Sequence, residues 1–457
     1  MIIRLAVRSL AVRPIRTAVL SVGFGLGIAV MAALLGVGDV ILEQARSPLL
    51  EGGGDMLVVG VFGAVENAPF VLSTVRALAP TVSPTRRATI YLMNGSDPIP
   101  VLARGGVPSL EKAVGDGEVK NVAAWTDAPS DARWIHGDPS TIMRALDRFH
   151  AEPDIPEFAS SWAEWLYFNG RTPDGRIRFY LTFMVGPIVR PGLRSAGVHL
   201  QLDREGKTTD YVASDVVSDD VLLEKAPDLD IAGNRVRVNH GRYELTLRMH
   251  GIAGDLTLEP AAGRSLPPAV LRGARGWLSG YVVPALSGQL TGQLKSDTGD
   301  VVMFDGADGY HDHNWGFWRG VRWQWGQVSG GGLSFIYGRV FPPADVAASD
   351  RIPGFLGVLD ERGIAGVATN VSIAEHRSGD STSSPTSLDI TARAAGLDLR
   401  LSFDVDRTVR RSVTLVGGDA DFLQLGGIYR VQGRAGGHTI DLRARGAAET
   451  FQQRHAE

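Results

Sequence analysis

"RVRVNHGRYELTLRMHG", residues 235–251, alternates apolar and polar side chains on both sides of a central His-Gly pair. Successive side chains of an extended strand point to opposite faces, so the pattern describes two strands, each with one buried and one wet face, joined by a turn. The same rhythm recurs from Trp162 onward, in RIRFYLTFMV (176–185), GVHLQLD (197–203) and LDLRLSFDV (397–405), with Gly, Asp-Gly or Asn-Gly between the runs. Strand signal sustained over ~290 residues implies barrels or sandwiches.

The chain has 457 residues, of which 44% are hydrophobic, enough for two or three domains with proper cores. Its formal net charge is only -4, and beyond the first twenty residues acidic and basic residues are interspersed, which argues against a nucleic-acid partner. There is no cysteine, so disulfides, thiolate metal sites and cysteine nucleophiles are excluded. No G-x-S-x-G elbow, P-loop or dinucleotide fingerprint is present. No cofactor is implied.

Thr17–Gly38 carries no charge, and a helix of that length crosses a ~30 Å hydrocarbon core. Arg4, Arg8, Arg13 and Arg16 precede it, while Asp39 and Glu43 follow. The positive-inside rule then predicts a single-pass anchor in the cell membrane, with a cytoplasmic N-terminus and an extracytoplasmic body. Residues 3–46 resemble the first transmembrane segment of MacB/FtsX-type ABC permeases, which implies ABC transporter subunits as partners.

The expected organisation is a membrane anchor over 1–43, a connector with a small mixed α/β segment over 44–154, a first barrel over 155–275 and a second over 276–457. In the connector, ATIYLMNGSDPIPVLARGG (88–106) reads as two strands around an Asn-Gly-Ser turn, and PSTIMRALDRFH (139–150) as a helix started by Asp138, Pro139 and Ser140. The proline-rich stretch between 260 and 285 is the expected join between the barrels.

GYHDHNWGFWRG (309–320) concentrates the chemistry. In a strand, His311, His313 and Trp315 share one face, with Asp312 and Asn314 on the other. Histidines at this spacing lack a third ligand at any recognised distance, so no metal site is expected. A carboxyl group such as Asp312 in an apolar barrel keeps its proton through desolvation and can act as an acid. His311 or His313 can orient it or relay the proton, and Trp315, Trp318, Trp323 and Trp325 can stabilise a cation through their faces.

EWLYFNGRTPDG (164–175), YVVPALSGQLTGQL (281–294), the GYHDHNWG motif and the closing GAAETF (446–451) together resemble the carotenoid hydratase (hydroxyneurosporene synthase) and AttH family over roughly residues 155–452. The resemblance implies a mainly β fold of two tandem lipocalin-like β-barrels, and acid chemistry on an isoprenoid C=C bond. The family's HNW segment matches His313, Asn314 and Trp315. Its later Tyr-x-Asp, whose aspartate donates the proton, appears here as Tyr337-Gly338-Arg339. Asp312 or Glu164 must then supply the proton, and Arg339 favours an anionic ligand. Trp165 and Tyr167 join Trp315, Trp318, Tyr337 and Arg339 as candidate ligand contacts.

Three readings compete. The one preferred from the sequence is a membrane-anchored protein that binds a hydrophobic isoprenoid or lipid-like molecule and serves an ABC export system. The alternative is a hydratase, cyclase or isomerase in which Asp312 or Glu164 protonates an alkene, with His311 and His313 in support. A purely structural role is the third.

Overall fold

The computed structural model describes residues 56–453 except 59–64, 66, 77, 80, 96, 116–118, 120–121, 380–382 and 416–417. The apolar Thr17–Gly38 run, expected to be an anchor, lies outside the described residues. None of the described helices is long and apolar enough to cross a membrane.

The chain divides into two compact units. In the smaller, residues 1–65 with 81–135, strands β1 (Thr85–Asn94) and β2 (Asp97–Gly106) form the expected hairpin. Its buried anchor is Glu111, whose carboxylate takes hydrogen bonds from Ser83 Oγ at 2.8 Å and Arg104 Nη2 at 2.5 Å.

The larger unit, residues 66–80 with 136–457, is almost entirely β. Two helices precede its strands, α1 (Ala68–Arg76) and α2 (Pro139–Leu146). Helix α2 starts where the sequence predicts: the Asp138 carboxylate accepts from Thr141 N at 2.7 Å, satisfying a free first-turn amide, and Pro139 fills a position that needs no donor.

The first sheet contains β3 (Trp162–Arg171), β4 (Ile177–Arg190), β5 (Leu193–Arg204), β6 (Lys207–Ser218), β7 (Leu229–Ile231), β8 (Asn234–Asn239), β9 (Arg242–Met249), β10 (Ile252–Pro260), β11 (Leu266–Arg272), β12 (Leu278–Ser296), β13 (Val301–Met303) and β14 (Ala307–Phe317). They pair antiparallel in the order β6-β5-β4-β3-β14-β12-β10-β9-β8-β7, with β11 and β13 added on β12. Strands β6 and β7, at the two ends of that path, come together, so the sheet curls into a nearly closed barrel. The second sheet contains β15 (Arg322–Gly330), β16 (Leu333–Phe341), β17 (Phe355–Asp360), β18 (Gly363–Ala368), β19 (Asn370–Arg377), β20 (Pro385–Ala394), β21 (Leu397–Leu415), β22 (Gly418–Ala435) and β23 (His438–Gln453). Its order is β18-β17-β16-β15-β23-β22-β21-β20-β19, and its ends also approach each other.

The hairpin quoted first is β8 and β9. Val236, Val238, Tyr243, Leu245, Leu247 and Met249 are buried, and His240 and Gly241 make the turn with φ of 49° and 75°. Two positive φ values in a two-residue loop match the right-handed twist of the strands, and this gives His240 a structural reason to stand there.

One boundary differs from the sequence reading. The chain does not pass to the second barrel near residue 276. Strand β12, 19 residues long, pairs with β10 and then guides β14 back against β3, so the GYHDHNWG strand belongs to the first barrel. The second barrel starts at β15.

Each barrel has its own apolar filling: Leu166, Phe168, Phe179, Phe183, Val198 and Leu245 in the first, Phe335, Val358, Leu401, Phe403, Leu425 and Val431 in the second. Burying each such side chain contributes about 1.5–3 kcal/mol. A third cluster lies on the outer faces of the barrels, where Tyr167, Tyr180, Val283 and Tyr310 of the first meet Ile336 and Leu359 of the second. This seam is lined on both sides by residues that strand alternation turns away from the barrel interiors.

Candidate active site

Strand β14 lies between β3 and β12, at the centre of the first sheet, and each of its faces carries a polar network. The alternation expected from the sequence holds. His311, His313 and Trp315 point to one side, and Tyr310, Asp312 and Asn314 to the other.

On the inner side, Asp147 follows the last turn of α2 and is fully buried. Its Oδ2 stands 2.9 Å from His311 Nε2 and its Oδ1 2.9 Å from His313 Nδ1. His311 Nδ1 donates to the Tyr167 carbonyl at 2.9 Å, because a carbonyl can only accept. His313 Nε2 reaches Glu164 Oε1 at 2.8 Å, and Glu164 also accepts from His150 N at 3.0 Å and faces His150 Nδ1 at 2.8 Å. Burial alone would discharge Asp147, Glu164 and His313, but their mutual contacts outweigh it. Asp147 is held down at about 2 against its burial by the charge and hydrogen bonds of His311 and His313. Glu164 is lowered against its burial by bonds from His150 and His313. His313 is raised to about 9 despite burial, through the hydrogen bonds and charges of Asp147 and Glu164. With both ring nitrogens facing carboxylates, His313 is an imidazolium. Phe168 stacks on His311, with centroids 4.0 Å apart, and Trp315 stacks on His150 at 3.9 Å.

His150, Glu164 and His313 bring three potential metal-ligand atoms within 4.8 Å of one another. They do not fit zinc as they stand: both ring nitrogens lie 2.8 Å from the same oxygen, Glu164 Oε1, whereas ligands on tetrahedral zinc stand ~3.3 Å apart. This is the geometry of shared protons.

On the outer side, Asp312 sits in the seam, 6% exposed. Its Oδ2 accepts from Tyr310 Oη at 2.7 Å and its Oδ1 from Asn314 Nδ2 at 2.7 Å. From the second barrel, Trp325 Nε1 donates to Tyr310 Oη at 2.9 Å. Glu449, paired with Trp325 in the β15–β23 register, lies near enough to Tyr167 for its charge to raise that phenol, whose hydroxyl Gln424 Nε2 approaches at 3.4 Å. Burial pushes Asp312 up to about 6, even though Tyr310 and Asn314 favour its charged form. Burial, and then the charge of Asp312, push Glu449 further, to about 8, despite the nearby Tyr167 phenol. Both carboxyls are raised, so the pair titrates around neutral pH. Around it stand Trp165 against Trp318, with centroids 4.5 Å apart, and Tyr281 against Trp325 and Phe355, at 5.2 and 5.5 Å.

The predicted site residues thus separate. Asp312, Tyr167, Trp165 and Trp318 lie on the outer face of the first barrel. His311 and His313 do not orient Asp312, because one-residue alternation puts them through the sheet from it. Glu164, expected as a possible acid, is held as the anion by its two histidine contacts. Trp315 packs with Trp277 and Phe317 rather than in the seam. Tyr337 lies inside the second barrel, its hydroxyl 2.9 Å from that of Tyr429. Arg339, two residues further along β16, donates to the Ser349 carbonyl at 3.3 Å and lies over Phe341 at 4.9 Å. The sequence reading did not single out Asp147, His150, Tyr310 or Glu449. For Glu449 a signal existed, since it lies in GAAETF, one of the segments that carried the resemblance.

No family model matches the chain, and no curated protein does. Among solved structures, it is similar to CghA with Sch210972, at 13% identity over 67% of this chain and 95% of that one, with a TM-score of 0.47. CghA in another crystal structure gives 15% identity, 67% and 94% coverage, and 0.48. Kievitone hydratase from Nectria haematococca gives 11% identity, 67% and 96% coverage, and 0.43.

Proposed function

We propose that this protein is an enzyme that adds a proton to a C=C bond of a hydrophobic, isoprenoid-type substrate, as a hydratase or as a cyclase or isomerase of the same chemistry. The observation that carries the reading is Asp312, buried in an aromatic seam on the hydrogen bonds of Tyr310 and Asn314, with Glu449 near enough to be raised by its charge. Glu449 gives its proton to an alkene carbon, forming a C–H bond and leaving a carbocation. The faces of Trp165, Trp325 and Tyr281 lower the energy of that cation. In hydration, water attacks the cation while Asp312 takes the water's proton. In isomerisation, Asp312 removes a proton from a neighbouring carbon instead. Each cycle ends with the proton on Asp312, and its return to Glu449 restores the pair. General acid and general base groups of this kind each contribute about 10²–10⁴-fold.

This reading replaces the carrier role preferred from the sequence, which rested on the permease-like N-terminal segment and on Arg339 standing in place of the family's aspartate. With Asp312 and Glu449 in the seam, the position of Arg339 no longer argues against acid catalysis. The lipocalin-like, hydratase-type kinship belongs to the same proposal. So does a membrane setting, supported by the uncharged Thr17–Gly38 run, which would keep the enzyme close to a hydrophobic substrate.

The test is mass spectrometry of an acyclic isoprenoid mixture incubated in D2O with the full chain, with Asp312→Asn and with Glu449→Gln. A product carrying deuterium on carbon that disappears with Glu449→Gln supports the enzyme. Selective retention of one component by all three proteins, with no product, makes the seam a carrier's pocket.

A further inference from the structure

At one end of the seam an arginine is buried without a counter-ion. Arg178 follows the outward rhythm of β4 and is 6% exposed. It lines a cleft of ≈ 80 Å³ between the barrels, together with Arg171, Tyr180, Tyr310, Gln327 and Arg445. That volume holds several waters or one small anionic head group. The neighbouring arginines each have a carboxylate of their own: Arg171 pairs with Asp308, Arg445 with Asp406 at 2.7 Å, and Arg407 with Asp203. Asp203, opposite Arg178 in the β4–β5 register, feels its charge but is bonded to Arg407. Among the described residues no carboxylate forms an ion pair with Arg178, and its Nε has no hydrogen-bond partner.

The second barrel makes room for this side chain. A Cβ at Gly426 would overlap Arg178 Nη1, so the guanidinium reaches this position only because β22 carries glycine there. Removing a guanidinium from water is costly unless an anion meets it, and a planar fork of donors suits a carboxylate or phosphate. Tyr180 links this end of the seam to the acid pair, since its phenol feels the charge of both Arg178 and Glu449.

We propose that Arg178 is an anion-binding subsite of the seam, and that the substrate is an amphiphile whose carboxylate or phosphate head docks on this guanidinium while its apolar chain runs toward Asp312 and Glu449. The inference rests on the seam being the substrate site.

The experiment measures the affinity of the full chain for geranylgeranoic acid, its methyl ester and geranylgeranyl phosphate by quenching of tryptophan fluorescence. The acid and the phosphate bind at least about tenfold more tightly than the ester, the usual value of a charge-assisted contact. Arg178→Met abolishes that preference and leaves ester affinity unchanged, which also shows that the variant is folded. Arg178→Lys keeps part of the preference. Gly426→Ala, which displaces the guanidinium, behaves like Arg178→Met. Equal binding of acid and ester by the unaltered chain, or a preference that survives Arg178→Met, overturns the anion subsite and leaves the acid site standing. If none of the three probes binds, both the subsite and the seam as substrate site are wrong.

Discussion

Asp312 and His313 are consecutive residues, yet their side chains belong to networks on opposite sides of the first sheet. Asp312 is bonded to Tyr310 and Asn314 in the seam, and His313 to Asp147 and Glu164 on the inner face. One strand therefore carries a charged inner network that fixes its position and an outer carboxyl that is free to exchange a proton. The two have different chemistry because their partners differ: inside, the His313 imidazolium meets carboxylates, whereas outside Asp312 is held by a phenol and an amide and raises a second carboxyl, Glu449, through its charge.

The pH dependence of turnover follows from the outer pair. Activity rises as Asp312 ionises, with a limb near about 6, and falls as Glu449 loses its proton, near about 8. The profile of kcat/KM against pH is a bell centred near neutrality, whose limbs belong to the coupled pair. Glu449→Gln lowers kcat by about 10²–10⁴-fold near neutral pH, and the difference narrows above about pH 8, where Glu449 has lost its proton.

Stability depends on pH with a definite sign. His313 binds its proton more tightly folded, at about 9, than its ordinary value of 6.5, so its contribution is complete below 6.5 and is lost as pH rises through 9. Asp312 and Glu449, raised to about 6 and about 8, likewise give a folded state that holds more protons than the unfolded one. Asp147, held at about 2, contributes stability above its ordinary 3.8 that is lost as pH falls toward 2. Calorimetry should therefore show Tm falling steadily from about pH 5 to about pH 9, with a separate loss in strong acid.

Removing the centre of the inner network is costly. Asp147→Ala leaves the His313 imidazolium with only Glu164 and takes the acceptor from His311 Nε2. A broken buried ion pair costs about 3–5 kcal/mol, measured by denaturant unfolding. Asp312→Asn, which removes a charge that burial disfavours, costs less than about 1 kcal/mol or stabilises the fold. The contrast separates a positioning network from a catalytic one, because only the second variant combines near-normal stability with lost turnover.

Close packing behind the motif strand gives a further check. A Cβ at Gly280 would overlap the indole of Trp315, which lies across the strand pair from it. Gly280→Ala forces the ring aside and destabilises the protein by about 1–3 kcal/mol, read as a lower denaturation midpoint.

Local pattern made the β-rich body, the β8–β9 hairpin, the α2 start and the two faces of β14 legible, because each depends on residues close together in sequence. The hand-over between barrels was not legible. Proline density near 276 suggested a join, but β12 pairs across it and β14 returns to β3 over more than a hundred residues. The site was half legible for the same reason. Asp312 stands inside a conspicuous motif, while Asp147 and Glu449 reach it or its strand only through tertiary structure. The histidines, the loudest signal in the motif, bind partners on the inner face, which one-residue alternation already separated from Asp312.

The most direct test is infrared spectroscopy of the carboxyl groups of the ligand-free protein at pH 7. The account predicts a protonated-carboxyl C=O band that vanishes in Glu449→Gln and titrates away near about 8. In Asp312→Asn the same band persists and its titration moves to lower pH, because the neighbouring charge is gone. Absence of a protonated carboxyl band at pH 7, or a band untouched by Glu449→Gln, would contradict a poised acid in the seam.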